Sequence, residues 1–178
     1  MITKMLSTPR TVIPVRELSE LAAASDVEDL GSKLDQRIRR IFKGSLAIRE
    51  VDAGSTNAEE EELKALTNAY YDIERFGVHF VASPRHADML MVTGPITKNM
   101  AKALKETYEA TPAPKIIVAV GDGAIDGSLF KDAYGVVGGT GAVIPVDYGI
   151  PGDPPSPKMI IAALIHILDD IEHKRKAA

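Results

Sequence analysis

The spacing of apolar positions changes character along the chain, and each change marks an element. From Val27, apolar residues recur at intervals of three and four: Val27, Leu30, Leu34, Ile38, Ile41 and Phe42. That period predicts an amphipathic helix, which Gly44 ends. Residues 45–51, 78–82, 89–93 and 115–120 are short β-rich runs. The last of them, Lys115 to Val120, is continuously apolar after its first residue, the mark of a central strand covered on both faces. A final strand is expected over 142–146, short or at an edge because Pro145 cannot donate to a ladder. Between the strands lie helical stretches. One is expected over Glu59–Tyr71, with Glu59 to Glu62 in its first turn, where acids complement the helix dipole. Another is capped by Thr97, shows Met100, Leu104 and Tyr108 on one face, and stops at Pro112 and Pro114. The last begins with Ser156 as cap and Pro157 as first residue, is apolar almost all round from Met159 to Leu168, and ends in Lys174-Arg175-Lys176. Residues 1–15, with Pro9 and Pro14 and no period, read as an extended arm.

Strands alternating with helices predict an α/β fold: an open, mostly parallel sheet with helices on both faces, a flavodoxin-like three-layer arrangement preceded by an N-terminal helical arm. The expected division is an arm and amphipathic helix over 1–44 and an α/β domain over 45–178. In such a sheet the strand-to-helix turns share the carboxyl edge, where ligands bind. Three turns qualify: 52–58, 121–127 and 150–155.

Composition narrows the chemistry. The chain has 178 residues, a net charge of −4 and no cysteine. It cannot form disulfides, zinc–thiolate sites or thiolate-held clusters. No broad basic excess points to nucleic acid. The longest apolar run, ten residues, is too short to cross a bilayer, and no leader is expected at the start. The reading is a cytoplasmic protein, with peripheral docking on the cytoplasmic membrane face as an option. The basic face of the first helix (Lys33, Arg37, Arg39, Arg40, Lys43) is either solvated surface or a docking face for an acidic partner or lipid headgroups.

Several motifs, in order, carry a resemblance. They are Ile48-Arg49-Glu50-Val51-Asp52-Ala53-Gly54-Ser55, Tyr71 to Gly77, Ala82-Ser83-Pro84-Arg85-His86-Ala87-Asp88, Val92-Thr93-Gly94-Pro95-Ile96-Thr97, and Pro145-Val146-Asp147 with Pro151-Gly152 and Pro154-Pro155. Over residues 45–168 the chain resembles the 20 kDa (B) subunit of respiratory complex I, and more closely the small subunits of energy-converting nickel–iron hydrogenases and formate hydrogenlyase. The resemblance implies a four-iron four-sulfur cluster held by four cysteines on three turns. The matching positions are Thr56, Glu59, Gly123 and Asp153, and none is cysteine. Soft thiolates hold such clusters; a hydroxyl, a glycine and two carboxylates do not replace them. The 4Fe-4S cluster is therefore expected to be absent. Replacement by Thr, Glu, Gly and Asp, rather than Ser or Ala, reads as natural divergence.

The leading functional reading is a structural or partner-binding subunit of an oxidoreductase-like complex. The resemblance implies a hydrogenase- or complex I-like large subunit as partner, with a membrane subunit as a further candidate and a homo-oligomer if the chain stands alone. Arg85, His86 and Asp88 are the partner-facing candidates; the other account of them is a local capping or ion-pair network. The alternative is a repurposed pocket, in which Glu59, Asp153 and Asp122, with the Ser55 and Thr56 hydroxyls, supply oxygen ligands to a hard cation, or glycine turns cradle a small molecule. Gly138-Gly139-Thr140-Gly141 is a weak phosphate-loop signal without strand-to-helix context. The four histidines are scattered, and His166 reads as a satisfied buried residue. No catalytic residues and no metal ligands emerge, so catalysis by this chain alone is not expected.

Overall fold

The computed structural model describes residues 11–177. The elements run β1 (Thr11–Val12), α1 (Val15–Ala24), α2 (Val27–Phe42), β2 (Leu46–Asp52), α3 (Ala58–Ala65), β3 (Val78–Phe80), β4 (Met89–Thr93), β5 (Ile96–Thr97), α4 (Lys98–Ala110), β6 (Ile116–Val120), α5 (Asp122–Asp126), β7 (Val136–Gly138), β8 (Tyr148–Ile150) and α6 (Pro157–Ala177). Six strands form one sheet in the order β1-β8-β6-β4-β2-β3. Its five pairings are all parallel. β5 and β7 form a separate antiparallel pair.

Side chains alternate across the sheet, so each strand feeds two cores. Met89 and Met91 of β4 and Val118 and Val120 of β6 join α1, α2, α3 and α6 on one face. Leu90 and Val92, with Ile117 and Ala119, join α4 and α5 on the other. The expected three-layer α/β arrangement, with helices on both faces, is what the chain adopts. All five residues of β4 are buried, as double coverage requires.

α6 is the central helix of the first face: Ile160 to Ile165, Ile167 and Leu168 are all buried. Each buried Ile or Leu among them contributes roughly 1.5–3 kcal/mol, far more than a surface ion pair at about 0–1 kcal/mol. Apolar burial therefore supplies the strength of the α2–α6 contact, and charge sets its register. Arg37 Nε and Nη2 reach the two carboxylate oxygens of Asp169 at 2.7 and 3.0 Å, and Arg40 approaches Glu172 at 3.7 Å. Half of the question posed by the basic face of α2 is thus answered within the chain: Arg37 and Arg40 face acids on α6.

Four expectations need correction. The extended arm of residues 1–15 lies outside the described residues up to 10. Beyond that, Thr11–Val12 is an edge strand beside β8 and Val15 opens a helix. Helix α3 stops at Ala65 instead of Tyr71. Leu66, Thr67 and Asn68 donate to carbonyls three residues back, and the Asn68 carboxamide oxygen then accepts from the Tyr70 and Tyr71 amides at 2.8 and 3.0 Å; a side chain that satisfies backbone donors this way competes with the helix. The strand expected at 142–146 is instead Tyr148–Ile150. Ile144 and Val146 are buried against α4 and α5 without joining the sheet ladder. The glycine-rich segment from Val136, which offered no strand-to-helix context, contributes an unexpected strand, β7, and then a single 3-10 turn, Thr140–Ala142.

Candidate functional site

The carboxyl edge is assembled by backbone hydrogen bonds between turns. After β2, Asp52 Oδ1 accepts from the Gly54 and Ser55 amides at 2.8 and 2.9 Å. The Ala53 carbonyl accepts from the Thr97 amide at 2.8 Å and from its hydroxyl at 3.2 Å. This fastens the first turn to the segment after β4. Gly94 has φ +70, and a Cβ there would strike the Ser55 backbone; only glycine meets both demands. After β6, the Gly121 amide donates to the Ile150 carbonyl at 2.8 Å and Asp122 to the Gly152 carbonyl at 2.9 Å. Gly152 donates back to Asp122 Oδ1 at 2.9 Å. The second and third turns are locked together.

As a result Thr56, Glu59, Gly123 and Asp153 line a single cleft of about 30 Å³. The family resemblance supplied these four positions, and the shared edge of a parallel sheet predicted that their turns meet. Sequence reasoning missed the rest of the wall: Pro95, Ser128, Leu129 and Phe130. Their signal was an apolar Leu-Phe pair directly after the glycine-bounded turn 121–127, in a stretch with no helical or strand period.

Glu59 is 3% exposed and lines the cleft. Its carboxyl lies against Gly121, where a Cβ would be 2.5 Å from Oε1, and its Oε2 has no hydrogen-bond partner among the described residues. Burial pushes the Glu59 carboxyl above the usual range. A hydrogen bond from its own backbone works the other way, while the nearby charges of Glu60, Asp153 and Asp122 add to the rise. Glu60 is also buried, turned to accept from the Ser55 hydroxyl. Thr56 and Asp153 are exposed at the mouth.

An iron–sulfur cluster does not fit this donor set. The four converging positions offer one hydroxyl, two carboxylates and no side chain at Gly123, and the chain contains no cysteine. Among the described residues no three His, Asp or Glu side chains gather to hold a metal ion. His166 is half-buried on α6.

Arg85, His86 and Asp88 lie elsewhere. They precede β4, at its amino end, whereas the cleft follows its carboxyl end. Arg85 and His86 are exposed on a 3-10 turn whose cap, Ser83 Oγ, accepts from the Arg85 amide. Asp88 is half-buried and accepts from the Ala47 amide at 3.0 Å. The two candidate groups are at opposite ends of one strand.

A fully parallel sheet, covered on both faces, with one cleft closed by three carboxyl-edge turns, defines an α/β protein of the sheet-edge binding class. The chain belongs to the NADH ubiquinone oxidoreductase 20 kDa subunit family, whose model matches residues 57–167. It is 46% identical over 125 residues to an uncharacterized protein of Methanocaldococcus jannaschii, covering 70% of this chain and 84% of that one. It is 39% identical to a Pyrococcus furiosus protein named "Probable membrane-bound hydrogenase subunit mbhJ", covering 78% and 85%. Among solved structures it is similar to a chain of the membrane-bound sulfane sulfur reductase, an archaeal respiratory membrane complex, with a TM-score of 0.66 and 34% identity over 76% of this chain and 75% of that chain. No helix among the described residues is long and apolar enough to cross a membrane.

Proposed function

We propose that this chain is a cluster-less subunit of an oxidoreductase complex of the complex I and energy-converting hydrogenase type, contributing structure and partner contacts instead of an electron relay. One observation carries the reading: the three turns still converge, yet the four positions on them present no thiolate. The architecture persists while the redox centre has lost its ligands. The relatives are named as hydrogenase subunits or taken from a respiratory membrane complex, which supports a hydrogenase- or complex I-like large subunit as the partner and peripheral attachment at a membrane through the complex. Thr56, Glu59, Gly123 and Asp153 are the former cluster-ligand positions, and Arg85 and His86 form an exposed surface at the other end of β4. A cation site in the cleft gains little support: two carboxylates and the Thr56 and Ser128 hydroxyls line it, and among the described residues no three His, Asp or Glu side chains gather to hold a metal ion.

Co-expression with the large-subunit homologue from the same genome tests this. A stoichiometric complex, in which iron and acid-labile sulfide are accounted for by the other subunits, is the expected result. A chain that never associates, or that itself carries stoichiometric iron and sulfide, overturns the reading.

A further inference from the structure

We propose that the carboxyl-edge cleft is a socket for a cationic side-chain head, lysine or arginine, presented by the partner protein. Glu59 and Asp153 form its acidic wall, and Leu129 and Phe130 its apolar rim. The inference rests on the reading of the chain as a complex subunit and names the chemistry that meets its cleft.

The first observation is an unmet acceptor. Glu59 is 3% exposed, yet its Oε2 has no donor among the described residues. Buried polar groups are normally hydrogen-bonded, and an unpaired one is costly. No Lys or Arg lines the cleft. The surrounding charge is acidic, from Glu60, Asp122 and Asp153. A donor that carries positive charge both satisfies this oxygen and offsets the acidic wall.

The second observation is independent. Seven large apolar side chains are conspicuously exposed among the described residues, and four of them fall between 129 and 137: Leu129 at 88%, Phe130 at 46%, Tyr134 at 93% and Val137 at 41%. Leu129 and Phe130 are also cleft walls. Grouped exposed apolar side chains beside a polar hole mark a protein contact.

The two observations weigh against two simpler occupants. A free metal ion explains the acids but leaves the apolar rim bare, and among the described residues no three His, Asp or Glu side chains gather to bind one. A second copy of this chain explains the rim, but a two-fold contact at this cleft brings the same acids opposite themselves. Volume agrees with a small head group: about 30 Å³ accommodates roughly two water-sized groups, enough for an ammonium or the tip of a guanidinium. A basic side chain flanked by apolar residues matches both hole and rim.

The test measures affinity of the full chain for the co-expressed large-subunit homologue. Glu59→Gln keeps the shape and removes the charge; Leu129→Ser and Asp153→Asn change exposed positions and leave the core intact. Each variant is expected to weaken binding about tenfold or more, and added salt is expected to loosen the wild-type complex more than the Glu59→Gln one. The melting temperature of Glu59→Gln should not fall, which separates a contact role from a structural one. If the wild type binds and all three variants bind equally well, the socket is wrong while the subunit reading stands. If the wild type does not bind, the subunit reading fails and the socket falls with it. Tight binding of Mg²⁺, Ca²⁺ or Mn²⁺ that Glu59→Gln abolishes, or a homodimer that Leu129→Ser dissolves, also overturns it. Should Glu59→Gln fail to fold, the two exposed variants decide the question.

Discussion

Asp88 grips Ala47 by both of its backbone polar groups. Its Oδ2 accepts from the Ala47 amide at 3.0 Å, and its own amide donates to the Ala47 carbonyl at 2.8 Å. Asp147 does the same to Ile117, with Oδ2 accepting from the amide at 3.0 Å and the Asp147 amide donating to the carbonyl at 2.9 Å. Each aspartate stands one residue before a strand and pins the neighbouring strand at the start of its pairing, Ile48 with Met89 and Val118 with Tyr148. Of the Arg85, His86 and Asp88 group, Asp88 therefore has a structural task in the register of the sheet.

Asp88→Ala is expected to destabilise the protein by about 1–3 kcal/mol, because it strands the Ala47 amide. Arg85→Ala and His86→Ala, at exposed positions, should stay within roughly 0.5 kcal/mol. Urea unfolding checks all three. Equal, small effects throughout would return Asp88 to the surface group.

The raised carboxyls make stability depend on pH in a definite direction. Burial raises Glu59, and burial followed by the charge of Glu60 raises Glu50. In the unfolded chain both titrate near the ordinary value of about 4.3. A group raised in the folded state adds stability that is fully present below that value and is lost as pH climbs through the folded value. Glu59→Gln cannot lose a proton. Its stability relative to wild type should therefore rise with pH across this window and level off above it. A difference that is flat with pH would mean that Glu59 is ionised and solvated.

Iron chemistry distinguishes ligand loss from fold loss. Anaerobic incubation with iron and sulfide should leave the purified wild type colourless. The combined variant Thr56→Cys, Glu59→Cys, Gly123→Cys and Asp153→Cys should take up iron and sulfide, because the four positions already line one cleft and thiolates supply the missing donors. A wild-type protein that reconstitutes a cluster would refute the donor argument.

Gly31 lies mid-way along α2, where replacing glycine by alanine ordinarily gains about 1 kcal/mol of helix propensity. Here a Cβ would meet the Phe76 ring. Overpacking costs about 1–3 kcal/mol, so Gly31→Ala is expected to lower the melting temperature. An increase would show that the ring moves aside freely.

The sequence by itself determined what depends on local period and on donor chemistry. The 3.6-residue pattern of Val27 to Phe42, the Thr97 cap, the buried run of α6 and the continuous strand 116–120 are each written within one window of residues, and the structure has them. The turns 52–58, 121–127 and 150–155 could be brought to one edge because parallel connections leave no other place for them, and the resemblance picked Thr56, Glu59, Gly123 and Asp153 around them. The absence of thiolates needs no coordinates at all. Tertiary structure decided whatever depends on partners distant in the chain. The apolar residues 142–146 carry a strand-like pattern, but the ladder begins only after Asp147 because that is where Ile117 is gripped. Asn68 ended α3 through its own side chain, against the apolar pattern that ran on to Tyr71. The fit of Phe76 on Gly31, the exposure of Leu129 beside the cleft and the unpaired oxygen of Glu59 arise from packing between segments many residues apart. A one-dimensional pattern records which side chains avoid water, and only the packed chain fixes which of them find a partner.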